Sequence, residues 1–423
     1  MSSRVVPLVA AMTAAKVLSL SGSMVFPGLL ILLQSEWSLT NTEAGWINGA
    51  FSAGYGITVP ILTGLTDRFD ARRIYLYSAA LGALAMVGFA VLAEGFWTAM
   101  LFRALIGVSF AGTYMPGLKL LGARLSGPGQ GRAISFYAGS GAIGMALSVF
   151  VTGLAIGHLD WRWAAALTGF GPLIAMALVV AVIEPGPDRA ATPSGSSSGS
   201  SSGSPSGSPT GTPSGAPVRV LDFRPAFRNR GALGYMLGYA VHCWEMMGFW
   251  GWVVAYLSFA LTISPDPEFP FSPQEIAAVV LLIGWPASIL GNEGAMRWGR
   301  RRAISLYMLV SVLAGLALGF SAGLPFVLVA LLAVVYGAVT TSDSGALTVG
   351  LYEVARDGEL GRTMAVYSSL GFTMAFLAPL AFGGVLDLAG GGAMAWGLAF
   401  MVLVALPLTG PLWLYLFGGR RRR

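Results

Sequence analysis

Five ionisable side chains stand inside long apolar stretches of this 423-residue chain: Lys16, Arg103, His242, Glu245 and Asp343. Charge is costly in hydrocarbon, so such residues are functional candidates by default. A buried cation needs a negative partner, and Lys16 and Arg103 would therefore hold an anion. A carboxyl group deprived of water favours its neutral form, so Glu245 and Asp343 would take up protons. His242 lies three residues before Glu245, on the same helical face, and would relay the proton or bond the substrate. Asn48 and Tyr55 are seven residues apart, about two helical turns, and would face the same cavity as further substrate contacts. The competing reading is a set of internal ion pairs, such as Lys16 with Glu245, that only hold helices together. Asp343 sits in the polar run Thr340-Thr341-Ser342-Asp343-Ser344, which also suits a helix cap at a break. Lys119 lies near the end of its apolar run and would snorkel to the surface. Trp244, Trp250 and Trp252 would line the cavity, pack in the core or anchor at the interface.

Other chemistries find little material. Two histidines, His158 and His242, and one cysteine, Cys243, leave no metal-ligand set. No nucleophile–base pair is visible, and no G-x-x-x-x-G-K-[ST] loop for a nucleotide-driven pump. The expectation is a protein that is not an enzyme, with no cofactor and no metal.

The elements that position these residues follow from composition. Hydrophobic residues make up 55% of the chain and charged residues 10%, against about 25% charged in soluble proteins. Mean hydropathy is +0.71. A crossing helix needs roughly 20 apolar residues. Twelve runs qualify, near 5–33, 44–64, 74–93, 97–121, 132–156, 162–183, 231–262, 274–293, 303–321, 324–352, 362–386 and 394–417. The first lacks the short apolar core and cleavage site of a signal peptide and reads as a retained span. With the N-terminus inside, the cytoplasmic segments hold Arg68, Arg72, Arg73, Arg124, Arg132, the arginines from Arg189 to Arg230, Arg297, Arg300 to Arg302, Arg356, Arg362 and Arg420 to Arg423. The opposite loops hold only Arg162. That asymmetry predicts cytoplasmic N- and C-termini, and it accounts for the net charge of +6 without nucleic acid. Residues 185–217 turn to Ser, Gly, Pro and Thr and would form a flexible cytoplasmic tether, a spacer between two bundles rather than a regulatory or partner-binding loop. The organisation expected is a six-helix bundle over 1–184, a linker over 185–230, and a second six-helix bundle over 231–423.

The halves repeat at an offset of about 230 residues: Gly131-Arg132-Ala133-Ile134-Ser135-Phe136-Tyr137 aligns with Gly361-Arg362-Thr363-Met364-Ala365-Val366-Tyr367. Two homologous halves with a site between them are a transporter architecture. The stretch Gly64-Leu65-Thr66-Asp67-Arg68-Phe69-Asp70-Ala71-Arg72-Arg73 resembles the loop 2–3 signature of the major facilitator superfamily, G-x-x-x-D-R-x-G-R-R, with Asp70 where Gly is usual. Its counterpart, Gly294 to Arg302, keeps the glycine and basic cluster but has Met296 where the acid falls. Arg103-x-x-x-Gly107 resembles the family's span 4 motif, and Asp160-Trp161-Arg162-Trp163 before span 6 is also familiar. The resemblance covers the whole chain except the linker.

The resemblance implies an all-α membrane protein of twelve transmembrane helices in two pseudo-symmetric six-helix bundles. It implies that Gly64, Asp67, Arg68, Arg72 and Arg73 form a conformational latch. Asp67 would meet the end of span 11 and a nearby arginine, holding the halves outward-facing with roughly a kcal/mol. The alternative is a solvated loop that only orients the protein. Spans 1 and 7 line the cavity in that family. Lys16 aligns with Met246 across the repeat, so Lys16, His242 and Glu245 would face one another at similar depth. The span 5 glycines Gly139, Gly141 and Gly144 lack the proline of the drug/proton antiporter motif, and the nitrate-transporter arginines of spans 2 and 8 are absent. The expected function is a secondary active transporter moving a small solute by alternating access, proton-coupled, with a carboxylate-like organic anion favoured. Efflux of amphipathic compounds, or a non-transporting receptor or scaffold on the same fold, are the alternatives. The expected partners are a small-molecule substrate, protons and the lipid bilayer, with no nucleic acid. The expected form is a monomer, multi-pass in a bacterial inner (plasma) membrane.

Overall fold

The computed structural model describes residues 5–66, 68–125, 130–185, 224–356 and 359–417; the described residues form helices and no strands. Span 1 is Val5–Ser19 and Val25–Trp37. Span 2 is Asn41–Leu65, span 3 Ala71–Leu92 and span 4 Phe96–Gly122. Span 5 is Gln130–Gly139 and Gly141–Ile156; span 6 is Trp161–Thr168 and Phe170–Val182. In the second half, span 7 is Arg230–Thr262, span 8 Pro273–Trp298, span 9 Arg300–Gly319, and span 10 Phe326–Ser342 and Ser344–Val354. Span 11 is Leu360–Ala389, and span 12 is Ala393–Ala405 and Gly410–Phe417 joined by a short 3-10 turn. Among the described residues, nine spans are long and apolar enough to cross a membrane. Span 1 contributes two shorter apolar helices. Spans 2 and 7 have the length, 25 and 33 residues, but carry more polar side chains.

Helix starts are set by local chemistry. Thr40 with Glu43, and Ser272 with Glu275, form reciprocal capping boxes at spans 2 and 8. Asp70, the departure from the signature glycine, caps span 3 by accepting from the Arg72 amide at 2.8 Å. Between spans 8 and 9 the chain turns at Gly299, with φ 89°, a conformation that glycine adopts without a Cβ penalty.

The sequence predicts span 1 as one continuous helix, and the structure breaks it between Leu20 and Met24. The polar Ser21-Gly22-Ser23 stretch unwinds because its groups find partners elsewhere: Ser21 Oγ donates to Thr168 O at 2.6 Å, and the Met24 amide donates to Ser148 Oγ at 3.0 Å. The predicted linker also ends early. Arg224–Arg228 is a short helix with Ala226 buried, and Asn229 caps span 7 while donating to Val354 O at 2.7 Å. Residues 186–223 and the terminal arginines lie outside the described residues.

The halves join chiefly through span 2 on span 11, span 8 on the second segment of span 5, and span 7 on the second segment of span 1. At the end remote from the basic loops, one hydrophobic core runs through both halves. At the basic end the core divides into two clusters, one confined to each half. Among the described residues, no comparable packing joins the basic-end segments of spans 4 and 5 to those of spans 10 and 11. Among the described residues, the packing between the halves thus lies toward the non-basic end, where it forms a seal.

Candidate functional site

The break in span 1 places the first site residue. Freed from helical pairing, the Ser23 carbonyl accepts from Arg103 Nη1 at 2.6 Å. The guanidinium lies 5.3 Å from the Phe51 ring centroid. Arg103 and Asn48 border a cavity between the halves, with Ser23, Ser52, Phe51 and Trp250. Its volume, about 20 Å³, is water-sized, since one water needs roughly 10–15 Å³ by this measure. Asn48 Nδ2 crosses to the second half and donates to Gly251 O at 3.0 Å. Three buried polar atoms here have no hydrogen-bond partner among the described residues: Arg103 Nε, Asn48 Oδ1 and Trp250 Nε1. Two of these nitrogens donate and the oxygen accepts, so the wall can take a ligand that offers both functions.

Lys16 is buried in the first half, on the segment before the break. Its Nζ donates to Tyr137 O at 2.8 Å and Ala138 O at 2.6 Å, and lies 4.2 Å from the Tyr114 ring centroid. Span 5 is interrupted at Ser140, and carbonyls at a helix end lack helical donors; the ammonium supplies them. Lys16 is not paired with Glu245.

Glu245 is held within the second half. Its carboxylate accepts from Ser311 Oγ and, at 3.0 Å, from the Tyr336 hydroxyl, while Ser311 and Thr340 are 2.8 Å apart. One turn away, His242 Nδ1 lies 2.7 Å from Asp343 Oδ1. Asp343 occupies the break in span 10 but makes no side-chain cap; its carboxylate turns to the histidine instead. Tyr239 stacks on Tyr367 at 3.8 Å between ring centroids and flanks His242. Tyr55 does not line the small cavity with Asn48. It bridges the halves, its ring 4.1 Å from Phe372 and 5.2 Å from Phe110.

Of the proposed latch, Asp67 lies outside the described residues. Gly64 has open space where a Cβ would stand, Arg68 and Arg73 are exposed, and Arg72 is half-buried. Lys119 does not snorkel: its Nζ donates to Thr66 O at 2.7 Å and contacts Thr66 Oγ1 at 3.1 Å, tying span 4 to the end of span 2. Sequence reasoning missed Ser311 and Tyr336 around Glu245, and it read Thr340 only as part of the polar run at Asp343. The signal available was only a hydroxyl-bearing residue in each of two apolar runs, among several others there. It also missed Asp387, whose carboxylate accepts from the amides and side chains of Asn41 and Thr42 at 2.6–3.0 Å, so that span 11 caps span 2 across the halves.

Twelve spans, broken helices and polar groups gathered where two six-helix halves meet define a multi-pass integral membrane protein with a transporter architecture. A model of the Major Facilitator Superfamily matches residues 12–294, and the chain belongs to that superfamily. Over 136 residues it is 28% identical to the probable sphingolipid transporter spinster homolog 1 of Arabidopsis thaliana, covering 31% of this chain and 27% of that one. Over 133 residues it is 29% identical to the puromycin resistance protein pur8 of Streptomyces alboniger, covering 31% and 26%. The match thus spans little more than a quarter of these relatives. Among solved structures, the fold is similar to a bacterial homolog of the human lysosomal transporter Spinster, crystallised inward-facing and unoccupied. The TM-score is 0.68 at 15% identity, over 99% of this chain and 96% of that one. It is similar also to the nucleoside transporter NupG, with TM-score 0.70 at 14% identity over 99% and 100%.

Proposed function

We propose that this protein is a secondary active transporter that couples a small carboxylate-like anion to protons by alternating access. The observation that carries the reading is the cavity between the halves. There a buried cation, Arg103, keeps its Nε without a partner beside the equally unpartnered Asn48 and Trp250. An anion offsets the charge that burial makes costly, and a hydroxyl or amine on the same molecule satisfies Asn48 Oδ1. The water-sized volume belongs to the sealed state, and rocking of one half on the other enlarges it. Protons enter through the second half. Glu245 and the His242–Asp343 pair sit on spans 7 and 10, and Ser311 on span 9, so relative motion of these spans changes how well the carboxylate is solvated by hydroxyls. With the basic end in the cytoplasm, the conformation is inward-facing, and the signature loop with Asp67 acts as the latch of the opposite state. The reading places both termini and the linker in the cytoplasm of a bacterial inner membrane, and the working unit is a monomer.

A second reading, efflux of amphipathic compounds, is favoured by the aromatic contact of Tyr55, Phe110 and Phe372 between the halves and by the names of the two sequence relatives. Uptake into proteoliposomes under an imposed pH gradient, screened against carboxylates and cationic drugs, separates them. Gradient-driven accumulation of a carboxylate, reduced at least tenfold by Arg103→Gln, supports the proposal. Transport of drugs alone replaces it with efflux, and no transport of either class leaves the receptor reading.

A further inference from the structure

The small cavity between the halves selects a functional group as well as a charge. Its volume, about 20 Å³, is room for one oxygen-sized group. Arg103 Nε and Trp250 Nε1 are buried donors on its wall, and Asn48 Oδ1 is a buried acceptor; none of the three has a partner among the described residues. Arg103, Asn48 and Trp250 are 3%, 6% and 7% exposed, so none of these groups turns to solvent instead. The Asn48 amide cannot be reversed to change the count. Its Nδ2 donates to Gly251 O at 3.0 Å, and the opposite orientation would set oxygen against oxygen there. The acceptor on the cavity side is therefore fixed. The three groups also span the molecule: Asn48 on span 2 and Arg103 on span 4 belong to the first half, and Trp250 on span 7 to the second.

Two donors and one acceptor are complemented by a group that accepts twice and donates once. A hydroxyl does this, with one O–H and two lone pairs. A carboxylate or a ketone only accepts, and would set an oxygen against Asn48 Oδ1. An ammonium only donates, and would set its protons and its charge against Arg103 and Trp250. The buried guanidinium still needs an anion. Hydroxyl and carboxylate then answer to the same side chain, so they belong on neighbouring atoms of one molecule. Given the carboxylate-transport reading, on which this inference rests, we propose that the transported anion is a 2-hydroxycarboxylic acid. Asn48 and Trp250 select its hydroxyl over an amino, keto or hydrogen substituent. Because the partners of the hydroxyl come from both halves, an acid without one leaves buried polar groups unpaired each time the halves close on it.

The test uses the full-length protein in proteoliposomes under an imposed pH gradient. Uptake is compared for lactate, alanine, pyruvate and propionate, which differ only at the second carbon, and for their five-carbon counterparts. The hydroxy acid of each series is expected to be taken up about tenfold or more faster than the unsubstituted acid. Asn48→Leu removes the acceptor, and Trp250→Phe removes one donor while keeping an aromatic ring. Each is expected to cut that preference about fivefold or more and to change uptake of the unsubstituted acid far less. Trp250→Phe decides the matter if Asn48→Leu does not fold. Equal uptake of the four acids, or a preference for the amino or keto acid, overturns the hydroxyl selection and leaves the carboxylate reading standing. A hydroxyl preference unchanged in the variants that fold overturns the assignment to Asn48 and Trp250. Uptake of no acid in either series overturns the carboxylate reading itself, and this inference with it.

Discussion

At the scale of single residues, the charges within the membrane resolve into separate sites, one set in each half. Lys16 satisfies the carbonyls before the break in span 5, and Glu245 is solvated by Ser311 and Tyr336. The two share no partner, so their effects on stability are expected to add. Lys16→Met loses two charge-assisted hydrogen bonds to buried carbonyls, on the order of 2–4 kcal/mol. Glu245→Gln keeps a similar shape and costs less. The double variant in detergent is expected to melt at the sum of the two shifts, within about 0.5 kcal/mol; recovery of stability in the double would restore the ion-pair reading. In transport, Glu245→Gln is expected to spare exchange of substrate for substrate, which moves no net proton. It is expected to abolish accumulation driven by a pH gradient, and full accumulation by this variant would remove Glu245 from the coupling path. The identities of these charged residues were legible in the sequence because hydrocarbon tolerates so few. Their partners were not, since Lys16 bonds to main chain 121 and 122 residues away, exposed by a helix break that no local pattern announces.

At the scale of elements, the ends of helices carry the contact between the halves. The first-turn amides of span 2 are donors without helical acceptors. Asp387, at the end of span 11, takes the amides of Asn41 and Thr42 together with their side chains. A carboxylate at a helix N-terminus is favourable, and here it joins two halves rather than one helix to itself. Asp387→Ala is expected to weaken the sealed state by about 1–3 kcal/mol and to leave the folding of each half intact. Spin labels at Glu94→Cys and Leu388→Cys, after Cys243→Ser, would read a longer distance across the non-basic end. An unchanged distance distribution would remove Asp387 from the seal. The capping boxes at Thr40 and Ser272 and the caps at Asp70 and Asp160 are local, and their residue types mark helix starts in the sequence. The clamp at Asp387 is invisible there, because it depends on the docking of helices 345 residues apart.

At the scale of the whole molecule, the seal is a steric fit between backbones. Gly45 and Gly49 on span 2 face the main chain of span 11. A Cβ at Gly45 would meet the Pro379 carbonyl and the Leu380 Cα, and one at Gly49 the Phe376 carbonyl and ring. Main-chain atoms cannot turn aside as a flexible side chain can. Gly54 and Gly107 make equally close approaches, but to Ala104 and Phe51 within the first half. The two pairs of positions therefore separate conformational equilibrium from folding. Gly45→Val or Gly49→Val is expected to disfavour the sealed state by about 1–3 kcal/mol of overpacking. That is roughly a 5- to 150-fold shift in population toward a form opened at the non-basic end. Gly54→Val or Gly107→Val brings the same insult inside one folding unit and is expected to lower thermal stability with no such shift. The Glu94–Leu388 label distance and the melting temperature, measured on all four variants, give the comparison. If Gly45→Val leaves the distance unchanged and melts like Gly54→Val, the contact of spans 2 and 11 is part of a static core. The rocking of two rigid halves would then lose its structural basis in this chain.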